Sequence, residues 1–316
     1  MAAASFVAGD WGTSHLRLFL CDEDGLVLER SEGPGAADAG GRFAEILESS
    51  LAPWGRRHSE LPAVLCGMVG SSIGWIQAPY LRCPARPEQL ADACVPLCGG
   101  SIQIVPGMSC RNRLNAPDFM RGEETQIAGA LACDPQLRVG QHLLCLPGTH
   151  TKWVLLKNGM ISEFLTAPTG ELFALLRDHS VLVGERGPAE TVGIGVAFEE
   201  GLAQFNRFPR AQLLHRLFEC RSRRLSGELT APTAAGYLSG LLIASDISGA
   251  LGLLSGGTDA GTVQLIGSPD LTRLYAAGLS SQNCETTQID GAAASPAGLA
   301  LVHRQLTQRR VMDATH

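Results

Sequence analysis

Lysine is nearly missing from this chain of 316 residues. Lys152 and Lys157 are the only two, and arginine supplies the rest of the basic side chains. Neither lysine follows a glycine, so the Gly-Lys-Ser/Thr of a Walker A loop is absent and P-loop chemistry is excluded. There is no basic excess either: the net charge is −6 and the pI about 5.8, which leaves no electrostatic footprint for nucleic acid. Long uninterrupted apolar runs are also lacking. The most apolar stretch, Leu241–Leu254, contains Asp246, Gly249 and Gly252, so no membrane span is expected. The opening MAAASFVAG is short, ends at Asp10 and has no basic residues before it, so no secretory leader is expected and the cytoplasm is the expected compartment. The ten cysteines form no CxxC pair, and Cys83, Cys94, Cys98 and Cys110 have no histidine among them. They read as reduced thiols rather than disulfides or a zinc site.

What is present is ordinary globular composition, 45% hydrophobic and 18% charged, at a length that suggests two domains. The first informative stretch is Ala8–Leu20, AGDWGTSHLRLFL, where an acid, a glycine and two hydroxyls separate two apolar runs. The pattern reads as strand Phe6–Gly9, a Gly12-Thr13 turn, strand Leu16–Cys21, an Asp24-Gly25 hairpin turn and a returning strand from Leu26. Nearly half a chain length later the same order recurs. Leu143–Leu146 is apolar, Pro147-Gly148-Thr149-His150-Thr151 turns, Trp153–Leu156 is apolar, Asn158-Gly159 turns, and Met160–Phe164 returns. This is a repeat at the scale of a domain.

Two similar domains facing a shared cleft follow from the repeat, each offering a glycine-containing hairpin. Backbone amides and Thr hydroxyls at such turns bind phosphate oxygens, because a glycine lets the ligand come close to the chain. Two of them would hold one polyphosphate, with Asp10 as the oxygen ligand of its Mg2+.

Asp10-x-Gly12-Thr13-Ser14-x-x-Arg17 resembles the first phosphate motif of the actin-like ATPase superfamily, which includes hexokinase and the FGGY carbohydrate kinases. Pro147-Gly148-Thr149-His150-Thr151 is similar to the second, without the acidic residue that often opens it. Within that superfamily the chain resembles the 2-dehydro-3-deoxygalactonokinase family, through Gly67–Tyr80, Met120–Leu131, Pro147–Val154, Thr169–Leu182, Tyr237–Ile247 and Leu265–Leu279. The resemblance implies an α/β protein of two actin-like, ribonuclease H-like ATPase domains around a nucleotide cleft. Residues 1–117 would carry the first phosphate motif and the sugar-acid site. Residues 118–316 would carry the second motif and the adenosine site, with a final helix around Ala293–Leu306 packing back on the first domain. It also implies ATP and Mg2+, and transfer of phosphate to the C6 hydroxyl of 2-dehydro-3-deoxy-D-galactonate. The epimeric gluconate acid is an alternative acceptor.

Site residues follow from the same resemblance. Related carbohydrate kinases carry a Gly-Asp-Gln stretch some 20 to 25 residues before the second phosphate loop, and its Asp is the general base. Here Glu123 and Glu124 open a small-residue helix at that distance; Glu124 is favoured and Glu123 stays open. Acids in a first helical turn are also stabilising in their own right. Gly12, Thr13, Ser14, Arg17, Gly148, Thr149, Thr151 and Lys152 are expected at the phosphates, and Gly267 with Ser268 at the adenosine. Gly70, Ser71, Trp75 and Arg121 are expected at the sugar acid, though Trp75 equally reads as a core cap and Arg121 as a surface ion pair. A different class competes for Gly70-Ser71-Ser72-Ile73-Gly74, which has the Gly-x-Ser-x-Gly form of a hydrolase nucleophile elbow at Ser72. The following Trp75–Pro84 contains two prolines and makes a poor helix, which counts against it. A non-catalytic nucleotide-binding regulator of the same fold is the remaining alternative. A homodimer is compatible with the pattern, which does not set the oligomeric state.

Overall fold

The computed structural model describes residues 3–55, 60–184, 193–208, 212–254 and 261–314. In chain order the elements are β1 (Phe6–Trp11), β2 (His15–Cys21), β3 (Val27–Pro34), α1 (Phe43–Leu51), β4 (Ala63–Gly67), β5 (Tyr80–Arg82), β6 (Val95–Leu97), β7 (Ile102–Ile104), β8 (Gly107–Arg111), β9 (Pro117–Met120) and α2 (Glu123–Cys133). They continue as β10 (Gln141–Leu146), β11 (Thr151–Lys157), β12 (Met160–Ala167), α3 (Thr169–His179), α4 (Val196–Arg207), α5 (Leu213–Leu217), α6 (Glu219–Leu225), α7 (Ala231–Leu254), β13 (Val263–Gly267), α8 (Pro269–Ser280), β14 (Thr286–Asp290) and α9 (Gly291–Ala314).

The chain divides into two units. Unit 1 comprises Met1–Gln141, Leu156–Phe164 and Gly291–His316, and unit 2 comprises His142–Leu155 and Leu165–Asp290. The principal sheet of unit 1 has the order β3-β2-β1-β4-β7-β6. β1 pairs antiparallel with β2 and parallel with β4, and β4 pairs parallel with β7. The second large sheet has the order β12-β11-β10-β13-β14, with β10, β13 and β14 parallel. Three consecutive strands followed by two parallel ones is thus the plan of both sheets, and the two Gly-Thr turns occupy the same place in each. β1 is apolar and buried along nearly its whole length, as a strand covered on both faces must be.

The division falls after Gln141, not near Pro117. The reason is a close helix crossing in unit 1: a methyl on Gly129 of α2 would overlap the Ala294 carbonyl of α9, and one on Gly298 would overlap the Thr125 carbonyl. Small residues here let the two backbones touch, and α2 is held with the first unit. In unit 2, Gly201 of α4 and Gly240 of α7 make a similar crossing. α7 has the length and apolarity of a bilayer span, but most of it is buried in the protein. Its Leu238, Leu241, Ala244 and Ile247 are fully enclosed in the unit 2 core.

Candidate functional site

In unit 1, β1 and the parallel β4 end side by side, with Asp10 opposite Cys66. The C-terminal ends of parallel strands are where α/β sheets place ligands. Gly67 leaves β4 with φ +87°, and a Cβ there would lie 2.7 Å from the Trp11 carbonyl and 3.4 Å from Asp10 Oδ1. Gly122, with φ +109°, opens α2 against the Gly67 backbone. Glycine at these two positions brings the start of α2 up to the end of β4, and the charges of Asp10, Glu123 and Glu124 all reach Cys66.

Asp10 is loosely held. Ser295 Oγ of α9 donates to Oδ2 at 3.3 Å, Arg17 Nη1 lies 3.9 Å from the same oxygen, and Cys66 Sγ is 4.0 Å from Oδ1. Burial pushes the Asp10 carboxyl above its ordinary value, against the pull of Arg17 and the Ser295 hydroxyl. Beside it the turn after Trp11 presents Thr13 and Ser14 to solvent, and Gly12 is half-buried. Ala36 and Ala37 brace that turn, their amides donating to the Gly12 and Thr13 carbonyls at 3.0 Å.

The two glutamates differ sharply. Glu124 has 0% exposure. The Gly122 amide donates to both its oxygens and the Thr125 hydroxyl to Oε1. Desolvation, with the Glu123 charge adding to it, pushes its carboxyl up to about 8. Glu123 is half-buried, and its Oε2 accepts the Arg121 amide at 3.0 Å.

Arg121 lies under the same helix start. Its Nη2 donates to the Ala78 carbonyl at 2.8 Å, and the guanidinium stands 4.3 Å from the Tyr80 ring centroid. Nη1 lies against Gly70, where a Cβ would come within 2.8 Å of it. Nε and Nη1 are both enclosed and lack a hydrogen-bond partner. So Gly70 and Arg121 do come together. Ser71 turns inward, its hydroxyl donating to the Met68 carbonyl at 2.7 Å, and Trp75 stacks on Phe43 at the edge of the unit 1 core. Both of these residues have a packing role that accounts for them. Ser72 is exposed in a run of turns with no helix behind it, so the geometry of a nucleophile elbow is not formed.

In unit 2, the loop Pro147–His150 leaves β10 with Thr149 exposed, and Gly267 at the end of β13 lies beside it. A Cβ on Gly267 would be 3.6 Å from the Pro147 carbonyl. Ser268 is the exposed N-cap of α8. Two further predicted residues are buried. Thr151 is fully buried, its hydroxyl sharing a hydrogen bond with Tyr275 at 2.7 Å. Lys152 is 5% exposed, and its ammonium donates to Thr166 Oγ1 at 2.9 Å. β11 is buried on both faces from Thr151 to Leu156, so once the loop ends at His150 successive side chains of the strand are enclosed.

Across residues 10–302 the chain matches the profile of the 2-keto-3-deoxy-galactonokinase family. The chain belongs to that family. A 2-dehydro-3-deoxygalactonokinase of Escherichia coli is 33% identical over 297 residues, covering 94% of this chain and 96% of that protein. The Rhizobium meliloti protein named "Probable 2-dehydro-3-deoxygalactonokinase DgoK1" is 38% identical over 311 residues, covering 96% and 98%. A solved Sinorhizobium meliloti structure, a candidate 2-dehydro-3-deoxygalactonokinase, superposes with a TM-score of 0.85 at 37% identity, covering 95% of this chain and 98% of its own. An activator of 2-hydroxyisocaproyl-CoA dehydratase from Clostridium difficile shares the fold alone, at 12% identity and a TM-score of 0.51. The fold is that of the actin-like ATPases and sugar kinases.

The fold also places residues that the sequence pattern did not point to. Ser295, which donates to Asp10, comes from a helix 285 positions downstream. Asp246 interrupts the apolar α7, and that break in periodicity was its only signal. Three side chains converge on it in unit 2: Trp153 Nε1 donates to Oδ1 at 2.8 Å, while Thr169 Oγ1 and Tyr275 Oη donate to Oδ2 at 2.7 and 2.6 Å. Burial still lifts the Asp246 carboxyl above its usual range, against those three hydrogen bonds.

Proposed function

We propose that this kinase transfers the γ-phosphoryl group of ATP to the C6 hydroxyl of 2-dehydro-3-deoxy-D-galactonate, the sugar acid in the names of its relatives. The observation that carries the substrate class is Arg121. Its two enclosed donors have no protein acceptor, and stranding a buried donor costs about 1–3 kcal/mol. A substrate carboxylate relieves that cost and a neutral sugar does not. Nη1 packs directly against the Gly70 backbone.

Glu123 is the base. Its carboxylate is half-buried at the start of α2, whereas Glu124 is fully buried and already accepts hydrogen bonds from Gly122 and Thr125. The favoured reading of the sequence is therefore exchanged for the neighbouring residue. The substrate oxygen bonds to the γ-phosphorus, the bond to the β,γ-bridging oxygen breaks, ADP leaves, and the hydroxyl proton passes to Glu123. Because phosphoryl transfer is loose, the base mainly orients the oxygen and receives its proton late.

Asp10 fits a magnesium ion, being an enclosed carboxylate whose nearest partners stand at 3.3 Å or beyond. Among the described residues no group of three or more His, Cys, Asp or Glu is placed to hold a metal. The ion would thus take its other ligands from phosphate and water, as magnesium commonly does. When bound it offsets charge on the phosphate oxygens. Gly12, Thr13, Ser14 and Arg17 in unit 1, and Gly148 and Thr149 in unit 2, are the phosphate contacts; Gly267 and Ser268 serve the adenosine. An ATP-consuming sugar-acid kinase fits a cytoplasmic compartment.

The test is coupled ADP release over a panel containing this acid, its gluconate epimer and neutral hexoses. Turnover is expected with the galactonate-derived acid and essentially none with neutral sugars. Equal turnover of a neutral hexose would overturn the reading.

A further inference from the structure

Asp246 is a half-buried carboxylate of α7 in unit 2. A carboxylate in the middle of an otherwise apolar core helix needs compensating donors, and a fold that only had to pack α7 would place a leucine or alanine there. Three buried or nearly buried side chains are spent on it instead: Trp153 of β11, Thr169 of α3 and Tyr275 of α8. Tyr275 is in turn hydrogen-bonded to Thr151.

Two of these partners, Thr169 and Tyr275, lead to the loop Pro147–His150. Thr151 is the residue on which that loop closes. Thr169 begins the helix against which the loop rests: the Glu171 amide donates to the Thr149 carbonyl at 2.9 Å, and His150 Nε2 meets Glu171 Oε2 at 2.7 Å. Gly170 is so close that a methyl there would overlap the Gly148 carbonyl. One carboxylate therefore fastens both the exit of the loop, through Tyr275 and Thr151, and the helix that braces it, through Thr169.

We infer that Asp246 is a positioning residue for the Gly148–Thr149 phosphate loop, holding through Tyr275 and Thr169 the backbone that meets ATP. The inference rests on the proposed role of that loop. Asp246 touches no substrate; it sets the loop geometry in advance, so that nucleotide binding does not have to order it. Removing the carboxylate frees both supports together, and removing the Tyr275 hydroxyl frees only the loop exit.

The experiment measures KM for ATP, KM for the sugar acid and kcat for Asp246→Asn, Asp246→Ala and Tyr275→Phe, well below each variant's melting temperature. KM for ATP is expected to rise about tenfold or more in Asp246→Ala, and several-fold in Tyr275→Phe, with KM for the sugar acid unmoved. Asp246→Asn, which keeps the shape and two of the acceptor contacts, should restore much of the ATP affinity. A purely structural role would lower the melting temperature of all three variants and leave KM for ATP at the wild-type value, which would overturn the inference. If Asp246→Ala does not fold, Tyr275→Phe decides between the same two outcomes, since it deletes one oxygen from a side chain that stays packed. Failure of the parent reading is separable: a wild-type protein that releases no ADP with any sugar acid refutes the kinase assignment, whatever the variants do.

Discussion

The backbone amide of Gly122 donates to both carboxylate oxygens of Glu124, at 2.9 Å to Oε1 and 2.7 Å to Oε2. The acceptor lies two residues after the donor, so the side chain folds back over the first turn of its own helix. An acid at a helix start is favoured by the unpaired amides there, and full burial of Glu124 completes the enclosure. Its neighbour Glu123 accepts the Arg121 amide and remains half-buried. The two carboxylates have similar sequence surroundings and opposite access.

Glu123→Gln is expected to lower kcat by about 10²–10⁴-fold, the usual contribution of a general base, with KM for ATP little changed. Glu124→Gln should keep most of its kcat. Steady-state ADP release separates them, and a crippled Glu124→Gln beside a normal Glu123→Gln would return the base role to Glu124.

The pH dependence of stability should carry the signature of Glu124. Its carboxyl is at about 8 in the folded chain and 4.5 as an unperturbed side chain. Between those values the folded state keeps a proton that the unfolded state has released, so stability falls as pH rises through the window and levels off above it. Urea midpoints measured from pH 5 to pH 9 should decline less steeply in Glu124→Gln than in the wild type. Identical slopes would show that Glu124 does not carry this proton.

Asp10→Asn is expected to fold normally, because its present partners are few and distant, and to lose about 10²–10³-fold in kcat, the scale of one lost electrostatic contact to a developing charge. The measurement is ADP release at saturating Mg·ATP with a melting curve as control. Near-normal turnover would remove Asp10 from the metal role.

Arg121→Gln should raise KM for the sugar acid by about 10- to 100-fold, from the loss of charge-assisted hydrogen bonds of about 1.5–3 kcal/mol. KM for ATP should not move. A rise in both constants together would point to damage at the start of α2 rather than to loss of a carboxylate contact.

Gly129→Ala tests the helix crossing of unit 1. The added methyl would overlap the Ala294 carbonyl, and overpacking of this kind costs about 1–3 kcal/mol. Thermal unfolding should show a clearly lower melting temperature. An unchanged one would mean that α2 and α9 separate without cost.

Much of the plan was legible in the sequence because it is written in local terms. Alternating apolar residues, the Gly-Thr turns and the Asp24-Gly25 and Asn158-Gly159 hairpins are each set by a few neighbouring dihedral angles and by strand periodicity. The repeat they compose therefore appears in the order of residues before any contact is known, and the two sheets follow it. Asp10 was legible for the same reason, as a polar residue placed where a strand becomes a turn.

What only the tertiary structure decided is the environment of each polar group. Glu124 is enclosed and Glu123 half-buried, a difference that their adjacent places in the sequence do not show. Thr151 reads as a turn residue and Lys152 as a phosphate contact in the sequence, and in the fold both are buried at the start of β11. Ser295 reaches Asp10 across 285 positions, and Asp246 acquires Trp153, Thr169 and Tyr275 from three separate elements. Desolvation and hydrogen bonding act between neighbours in space, and the chain brings those neighbours together only when it folds.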